Sequence, residues 1–280
     1  MIMEKIQERD HISQGTVIYG IRSTKYPEIS CYAVIISARC DIANRKISKV
    51  YYLTAAVASE WCCTKNGFDQ IFEDKRKQDK RNMRDRLGKH QINLEVLDTF
   101  SLDEAEKVIS SNVAKLREEE KIFDAYKKYC KIKDCSKIET RKEILRENGK
   151  EMVQFLSDIS SGKRYHYFFV PQRMYQSNGS MDDGLIVDLQ EIGMISMEDC
   201  DTIKTPGIDF QRLSEIKEED EQSRLKKAYW LNGNDDFVSI EGNIISPWCE
   251  LLMQRFSSDF IRIGVDASTK NNFEKLVGGI

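Results

Sequence analysis

The chain has 280 residues, of which 40% are hydrophobic and 32% charged, and its formal net charge is −3. This length allows a sizeable core in one large or two ordinary domains, and the composition is typical of a soluble globular protein. The charge excludes a global field that attracts nucleic acid, so such binding would need a local patch. No apolar run is long enough to span a bilayer and Met1–Asp10 lacks a signal-peptide core, so we expect a cytoplasmic protein without membrane contact.

Three short strands are predicted between Gly15 and Ala56. Thr16–Tyr19 and Cys31–Ser37 are apolar runs bounded by turn residues, and Lys49–Ala55 follows after a short turn. The gap before the third strand is too short for a crossover helix, so antiparallel pairing is expected. The sequence therefore predicts a small antiparallel barrel or curled sheet.

The most basic segment is 75–90, which lies within the N-terminal part, 1–100. Phosphate contact would explain this patch, but no aromatic residue other than His90 is interleaved to stack on bases. A solvated helix face or a loop is the favoured interpretation, and nucleic-acid binding is the alternative. The candidate binding residues are Lys75, Arg76, Lys77, Lys80, Arg81, Arg84 and Arg86.

A helical hairpin is predicted over 101–162. Ser101 and Glu104 have the spacing of a capping box at the start of the first arm, and Ser136 repeats the pattern before the second arm. Between the basic segment and the hairpin, the short apolar stretch Ile92–Leu97 is expected to return to the sheet as a strand.

The chain becomes β-rich again over 163–280. Tyr165–Pro171 and Gly184–Leu189 are predicted strands with an Asn178-Gly179 turn between them, and a final helix is predicted to begin at Ser246. The two β-rich parts could form one composite domain or two, and the absence of a low-complexity linker between them favours one.

Cys40 and Asp41 lie where the second strand is predicted to end, beside Arg39. A carboxylate next to a thiol disfavours the thiolate, although Arg39 would offset this. The favoured interpretation is that Cys40 packs inward while Asp41 caps the turn. The alternatives are Asp41 as a ligand or partner contact, and Cys40 as a catalytic nucleophile with His166 as its first candidate base.

The eight cysteines form no C-x-x-C pair and the three histidines are dispersed, so structural thiols are favoured and no metal site is predicted. The sequence has no P-loop, G-x-G-x-x-G, H-E-x-x-H or G-x-S-x-G motif, which excludes the motif-bearing forms of common nucleotide-dependent and hydrolase classes. No cofactor is expected. Asp188, in one of the late strands, is expected to be exposed.

Two separated segments resemble a poorly characterised group of bacterial proteins. Ser37-Ala38-Arg39-Cys40-Asp41-Ile42 resembles the signature S-Q-x-C-D-[IL], with Ala38 where the group has Gln, so no polar role is carried over to that position. Residues 245–264 resemble the group's C-terminal element, which begins SP-[YW] and ends R-[VI]-G. The resemblance implies an accessory protein that accompanies an ATPase or another partner in bacterial defence loci.

A second resemblance, at the level of the fold, is to MazF-type endoribonuclease toxins. They also open with a Gly-led strand, followed by an apolar strand ending in Ser and by a third strand like Lys49–Ala55. The resemblance implies a small SH3-like barrel, and Arg22 is the nearest match to the basic residue these toxins use near the first loop. Fold similarity does not confer function.

The expected fold class is α+β: a small antiparallel SH3-like β-barrel or curled sheet, an inserted helical hairpin, and a second β-rich part closed by a C-terminal helix. The expected function is that of a non-enzymatic accessory or adaptor protein of a bacterial antiphage defence system, bound to a larger protein partner through Ser37–Ile42 and the helix Trp248–Arg262. The alternative is a MazF-like nuclease acting on RNA or DNA, with Arg22, Arg39 and Asp41 around a phosphate.

Overall fold

The computed structural model describes residues 3–4, 12–133, 135–171, 184–203, 208–209 and 237–263. The chain forms two compact units. The first contains residues 1–61 and 156–280 and carries the sheet, and the second contains residues 62–155 and is helical.

The strands of the first unit form a curled antiparallel sheet. They are β1 Met3–Glu4, β2 Thr16–Ile21, β3 Cys31–Ile35, β4 Lys49–Val57, β5 Tyr167–Val170, β6 Leu185–Ser196, β7 Ile208–Asp209 and β8 Phe237–Ile244. The strand order is β1-β8-β2-β3-β4-β6-β5, with β7 paired to β8. The two predicted β-rich parts therefore share one sheet, since β4 pairs with β6 and β2 pairs with β8. The predictions of an α+β fold and a curled antiparallel sheet are confirmed.

The described helices are α1 Arg39–Ala43, α2 Ala58–Cys63, α3 Lys65–Gly88, α4 Leu94–Leu97, α5 Leu102–Asn112, α6 Leu116–Lys133, α7 Ile138–Glu147, α8 Gly149–Ser160, α9 Met197–Thr202 and α10 Trp248–Ile263. The chain passes between the two units within α2 and within α8. None of these helices, as far as the structure describes them, is both long and apolar enough to cross a membrane.

Over most of the sheet both faces are buried. Ile18 and Ala33 belong to the core on one face, and Val17 and Val34 belong to the core on the other. The C-terminal helix α10 covers the second face, where Leu252 is fully buried. Two buried faces explain why the strands appear in the sequence as continuous apolar runs instead of alternating ones.

The predicted helical segment begins at Ser101 as expected, but its two predicted arms are four helices, and α6 packs on α5 and on α3, so the predicted pairing of two long arms is wrong. Ser101 Oγ accepts the Glu104 N–H at 3.4 Å, and the Glu104 carboxylate accepts the Ser101 N–H at 2.9 Å, which confirms the capping box. The first arm is α5 and α6, and the second is α7 and α8. Ser136 does not cap the second arm: Lys137 precedes α7 and makes no side-chain cap bond.

The prediction of a strand at Ile92–Leu97 is wrong, because part of this stretch forms helix α4. Asn93 caps that helix, and its side-chain oxygen accepts two backbone N–H groups of the first turn at 2.8 and 3.2 Å. The late strands are confirmed, since β5 and β6 pair antiparallel. The predicted Asn178-Gly179 turn between them lies outside the described residues.

Candidate functional site

The first signature segment, Ser37–Ile42, follows β3 as a bend and the short helix α1. Ser37 Oγ accepts the backbone N–H of Tyr51 at 2.8 Å, which holds the segment beside β4. Ile42 is buried in the sheet core, so one side of α1 lies against the sheet and the other faces solvent.

Cys40 and Asp41 lie on the solvent side of this segment. Cys40 is exposed, so the prediction that it packs inward is wrong, and its Sγ lies 3.6 Å from Asp41 Oδ1. Within the described part of the chain the Asp41 carboxylate accepts no backbone N–H, so it does not cap the turn by a hydrogen bond. It lies in the first turn of α1, where a negative charge interacts favourably with the helix dipole.

The second signature segment lies next to the first. A depression of about 660 Å³ is lined by Arg39 of the first segment and by Ser246, Cys249 and Glu250 of the second. The structure therefore brings the two segments together on the surface of the sheet unit.

Cys249 in this depression is a packing residue. Burial and the neighbouring Glu250 raise the pKa of its thiol, and Arg39 acts in the opposite direction. Gly15 approaches the same thiol with a φ of +88°, and a Cβ on Gly15 would lie 3.0 Å from Cys249 Sγ. The thiol is therefore protonated at neutral pH and closely packed, which disfavours a nucleophilic role.

An apolar patch lies beside the first signature segment. It consists of Tyr51, Ile192 and Met194, which are 47%, 44% and 56% exposed. Tyr51 and Met194 are cross-strand partners, and Ile192 is two residues from Met194, so the three side chains lie on one face. On the same face Leu53 is fully buried in the core that α10 joins, whereas the apolar patch is left uncovered.

The edge of β6 beside this patch has no strand partner among the described residues. Among the described strands, Ile192–Ser196 pairs with β4 alone, because the pairing of β5 stops at Asp188. The Tyr51 carbonyl accepts the N–H groups of residues 36 and 37 and so faces β3. Its partner Met194 therefore directs its N–H and C=O away from β4, as do the residues two positions before and after it. This open edge, Ile192–Ser196, thus presents backbone donors and acceptors outward.

The residues predicted for a nuclease are separated by the strand register. Arg22 follows β2, whose last residue pairs with the first residue of β3. Arg39 and Asp41 follow the last residue of β3. A five-residue strand at about 3.3 Å per residue places Arg22 at least ~13 Å from the other two along the strands. The structure therefore does not bring the three around one phosphate.

His166 is also separated from Cys40 by the sheet order. His166 precedes β5, Cys40 follows β3, and both β4 and β6 lie between these strands. The His166 ring contacts the Tyr165 ring at a centroid distance of 3.9 Å and an interplanar angle of 57°. The structure gives no support to a Cys40–His166 pair.

A buried carboxylate that sequence reasoning placed on the surface anchors the sheet unit. Asp188 is 1% exposed, so the prediction that it is exposed is wrong. Its carboxylate accepts hydrogen bonds from Lys25 Nζ at 2.5 Å, Tyr26 Oη at 2.5 Å and the Gln190 N–H at 3.0 Å. Burial, and then Asp188, raise the pKa of Tyr26, so its hydroxyl remains a donor. The cluster is closed to solvent except at Lys25, which suits a structural role.

This cluster holds a bulge that leads into the open edge. The β4–β6 register shifts so that residues 189–191 lie between the partners of two adjacent β4 residues. Ser23 Oγ donates to Glu191 Oε1 at 3.0 Å, so the loop after β2 is hydrogen-bonded to β6 on both sides of the bulge, at Asp188 and at Glu191. These contacts position Ile192 and the residues after it.

The basic segment lies on α3, and its helical interpretation is confirmed. Ion pairs join Lys75 to Glu151, Arg76 to Asp69, Lys77 to Glu73 and Arg84 to Glu95. Arg76 also donates to the Ile132 carbonyl at 3.0 Å. Lys80, Arg81 and Arg86 are exposed and form no ion pair with other described residues. Because four of the seven candidate residues are paired with local carboxylates, the attraction of the segment for a long polyanion is reduced.

All eight cysteines are free thiols. Burial, and then Glu191, raise the pKa of Cys31 to about 12, and burial with Asp199 and Asp201 raises that of Cys200 to about 12. In the described ranges no three His, Cys, Asp or Glu side chains come close enough to hold a metal ion.

A scan against protein-family models, a search of the curated proteins and a search of the solved structures give no match. The two resemblances therefore stay predictions.

Proposed function

We propose that this chain is a non-enzymatic partner-binding protein, an accessory or adaptor component of a defence-type assembly in the bacterial cytoplasm. The observation that carries the proposal is the apolar patch beside the open edge of β6. Exposed apolar side chains that adjoin one another mark interaction surfaces more often than isolated ones do. The larger partner, an ATPase or another defence component, comes from the resemblance alone.

The binding mode that uses both features is strand addition by an extended segment of the partner. Backbone bonds to an open edge supply affinity, and alternate side chains of the added strand pack on the neighbouring patch. A face-to-face contact is less favoured, because three half-exposed side chains supply far less than the about 800 Å² per partner of a standard stable interface.

The finer fold assignment, an SH3-like barrel, is part of the proposal. Its support is the consecutive antiparallel pairing of β2, β3 and β4 within a curled sheet. The nuclease alternative has no juxtaposed residues in its favour, since Arg22 lies at the opposite end of β3 from Arg39 and Asp41.

The test is quantitative co-purification of partners from bacterial cells that carry the system, with wild type beside Met194→Asp. Met194 is 56% exposed, so the charge is tolerated by the fold but not by an apolar contact. Leu116→Asp, at a 71% exposed position in the helical unit, is the matched control. We expect the wild type and the control to retain the same partner and Met194→Asp to lose most of it. Equal retention by all three would contradict the proposal, as would nuclease activity of the purified wild type that is absent from Asp41→Ala.

A further inference from the structure

A groove of about 370 Å³ lies between α3, α6 and α7 in the helical unit. Its floor is apolar and tightly packed, and the side chains of Met83, Tyr129, Ile132 and Ile144 are each at most 7% exposed. The volume lies within the range of about 300–1,000 Å³ that is typical of small-molecule sites.

The rim of this groove is charged, with an excess of cations. It carries Lys75, Arg86, Lys128, Lys131, Asp79 and Glu147. Lys131 Nζ lies 3.2 Å from Glu147 Oε1, and Lys75 Nζ lies 3.9 Å from Asp79 Oδ2 and 3.5 Å from Glu151 Oε1, so Lys75 is shared by two carboxylates. Arg86 and Lys128 are exposed and form no ion pair with another residue that the structure describes. The rim therefore offers two cations that stand outside its ion pairs.

We propose that this groove binds a small amphipathic anion, which combines an apolar or aromatic body with one phosphate or carboxylate head. The body lies against the partly exposed Ala125, above the buried floor, and the head lies at the rim beside Arg86 and Lys128. A charged head alone gains little binding free energy at a solvent-exposed rim, and an uncharged body alone makes no contact with the excess positive charge. Both parts are therefore needed for binding. The inference rests on the helical unit and is independent of the function proposed for the sheet unit.

A long nucleic acid is a poorer occupant of the same groove. Lys77 and Arg84, which extend the basic segment along α3, are paired with Glu73 and Glu95. A polyanion tracking the helix would have to displace these carboxylates, whereas a compact anion meets only the rim.

The test is isothermal titration of the full chain with AMP and octanoate, which join a head to an aromatic and to an aliphatic body. Adenosine, inorganic phosphate and acetate are the controls that carry the body or the head alone. We expect at least one of the two amphipathic anions to bind at least tenfold more tightly than its separate parts. The tighter of the two identifies the class of body.

Two variants and a matched control assign that binding to the groove. Arg86→Gln combined with Lys128→Gln is expected to weaken binding at least fivefold, and Ala125→Leu, which fills the groove without changing charge, is expected to weaken it similarly. Arg81→Gln removes an exposed arginine of the same helix outside the groove and is expected to leave binding unchanged. Failure of both anions to bind would overturn the inference. So would phosphate binding as tightly as AMP, or an Arg81→Gln effect equal to that of the rim variant.

Discussion

Replacing Asp188 with Asn tests whether the buried carboxylate anchors the loop after β2. The amide keeps one acceptor oxygen but loses the negative charge that receives Lys25 Nζ and Tyr26 Oη, each at 2.5 Å. Tyr26 is 1% exposed and cannot turn to water, so the loss of its charged acceptor costs about 1.5–3 kcal/mol. The Lys25 side chain is 27% exposed and can find water, so its share is at most about 1 kcal/mol. Together these give a loss of about 1.5–4 kcal/mol in the free energy of unfolding.

The assay is urea unfolding followed by far-UV circular dichroism at pH 7. The matched control is Asp201→Asn, because the ion pair of Asp201 with Arg45 joins side chains that are 48% and 66% exposed. We expect that control to change stability by less than about 0.5 kcal/mol. A loss below about 1 kcal/mol for Asp188→Asn, or a loss equal to that of Asp201→Asn, would refute the assignment of Asp188 as the anchor.

Two further predictions concern packing and pH. Gly15→Ala places a Cβ 3.0 Å from Cys249 Sγ at a φ of +88°, so it should lower the free energy of unfolding by about 1–3 kcal/mol. Gly149→Ala places a Cβ that meets nothing within 4 Å, so it should raise the free energy of unfolding by up to about 1 kcal/mol. Urea unfolding compares the two variants, and equal effects would contradict the prediction. Burial raises the pKa of Cys31 to about 12, so the thiol ionises in the unfolded chain before it ionises in the folded protein. The stability that Cys31 contributes is therefore fully present below pH 9 and is lost as the pH rises towards about 12. The expected loss is about 1.4 kcal/mol per pH unit. Cys31→Ala should lessen this fall relative to Cys40→Ala in unfolding measured at pH 8, 9.5 and 10.5, and parallel curves for the two variants would contradict it.

The strands could be predicted from the sequence because their burial produces continuous apolar runs. The run Cys31–Ile35 is apolar at every position since both faces of the sheet are covered, and the Ser101 cap is visible because Glu104 is its neighbour in sequence. The short run at Ile92–Leu97 has no period that distinguishes strand from helix, and the side chain of Asn93 decides in favour of a helix.

The candidate site could not be predicted because it depends on contacts between distant residues. Asp188 lies among apolar strand residues and resembles an ordinary exposed strand position, yet its partners Lys25 and Tyr26 are 163 and 162 residues away. Likewise, β6 appears in the sequence as two apolar runs, Gly184–Leu189 and Ile192–Ile195, each of which predicts a separate strand. Only the register shows that one long strand pairs with β4, while β5 stops at Asp188 and leaves Ile192–Ser196 open.

The most direct test of the partner-binding proposal is residue-resolved amide hydrogen exchange of β6, measured on the free protein and on its complex with the co-purified partner. In the free protein, the outward amides of Ile192, Met194 and Ser196 should exchange rapidly, while those of Gly193 and Ile195, which face β4, should be protected. The proposal predicts that the partner slows exchange at Met194 and its outward neighbours. Protection of Met194 in the free protein, or a complex that leaves all three outward amides unchanged, would contradict it.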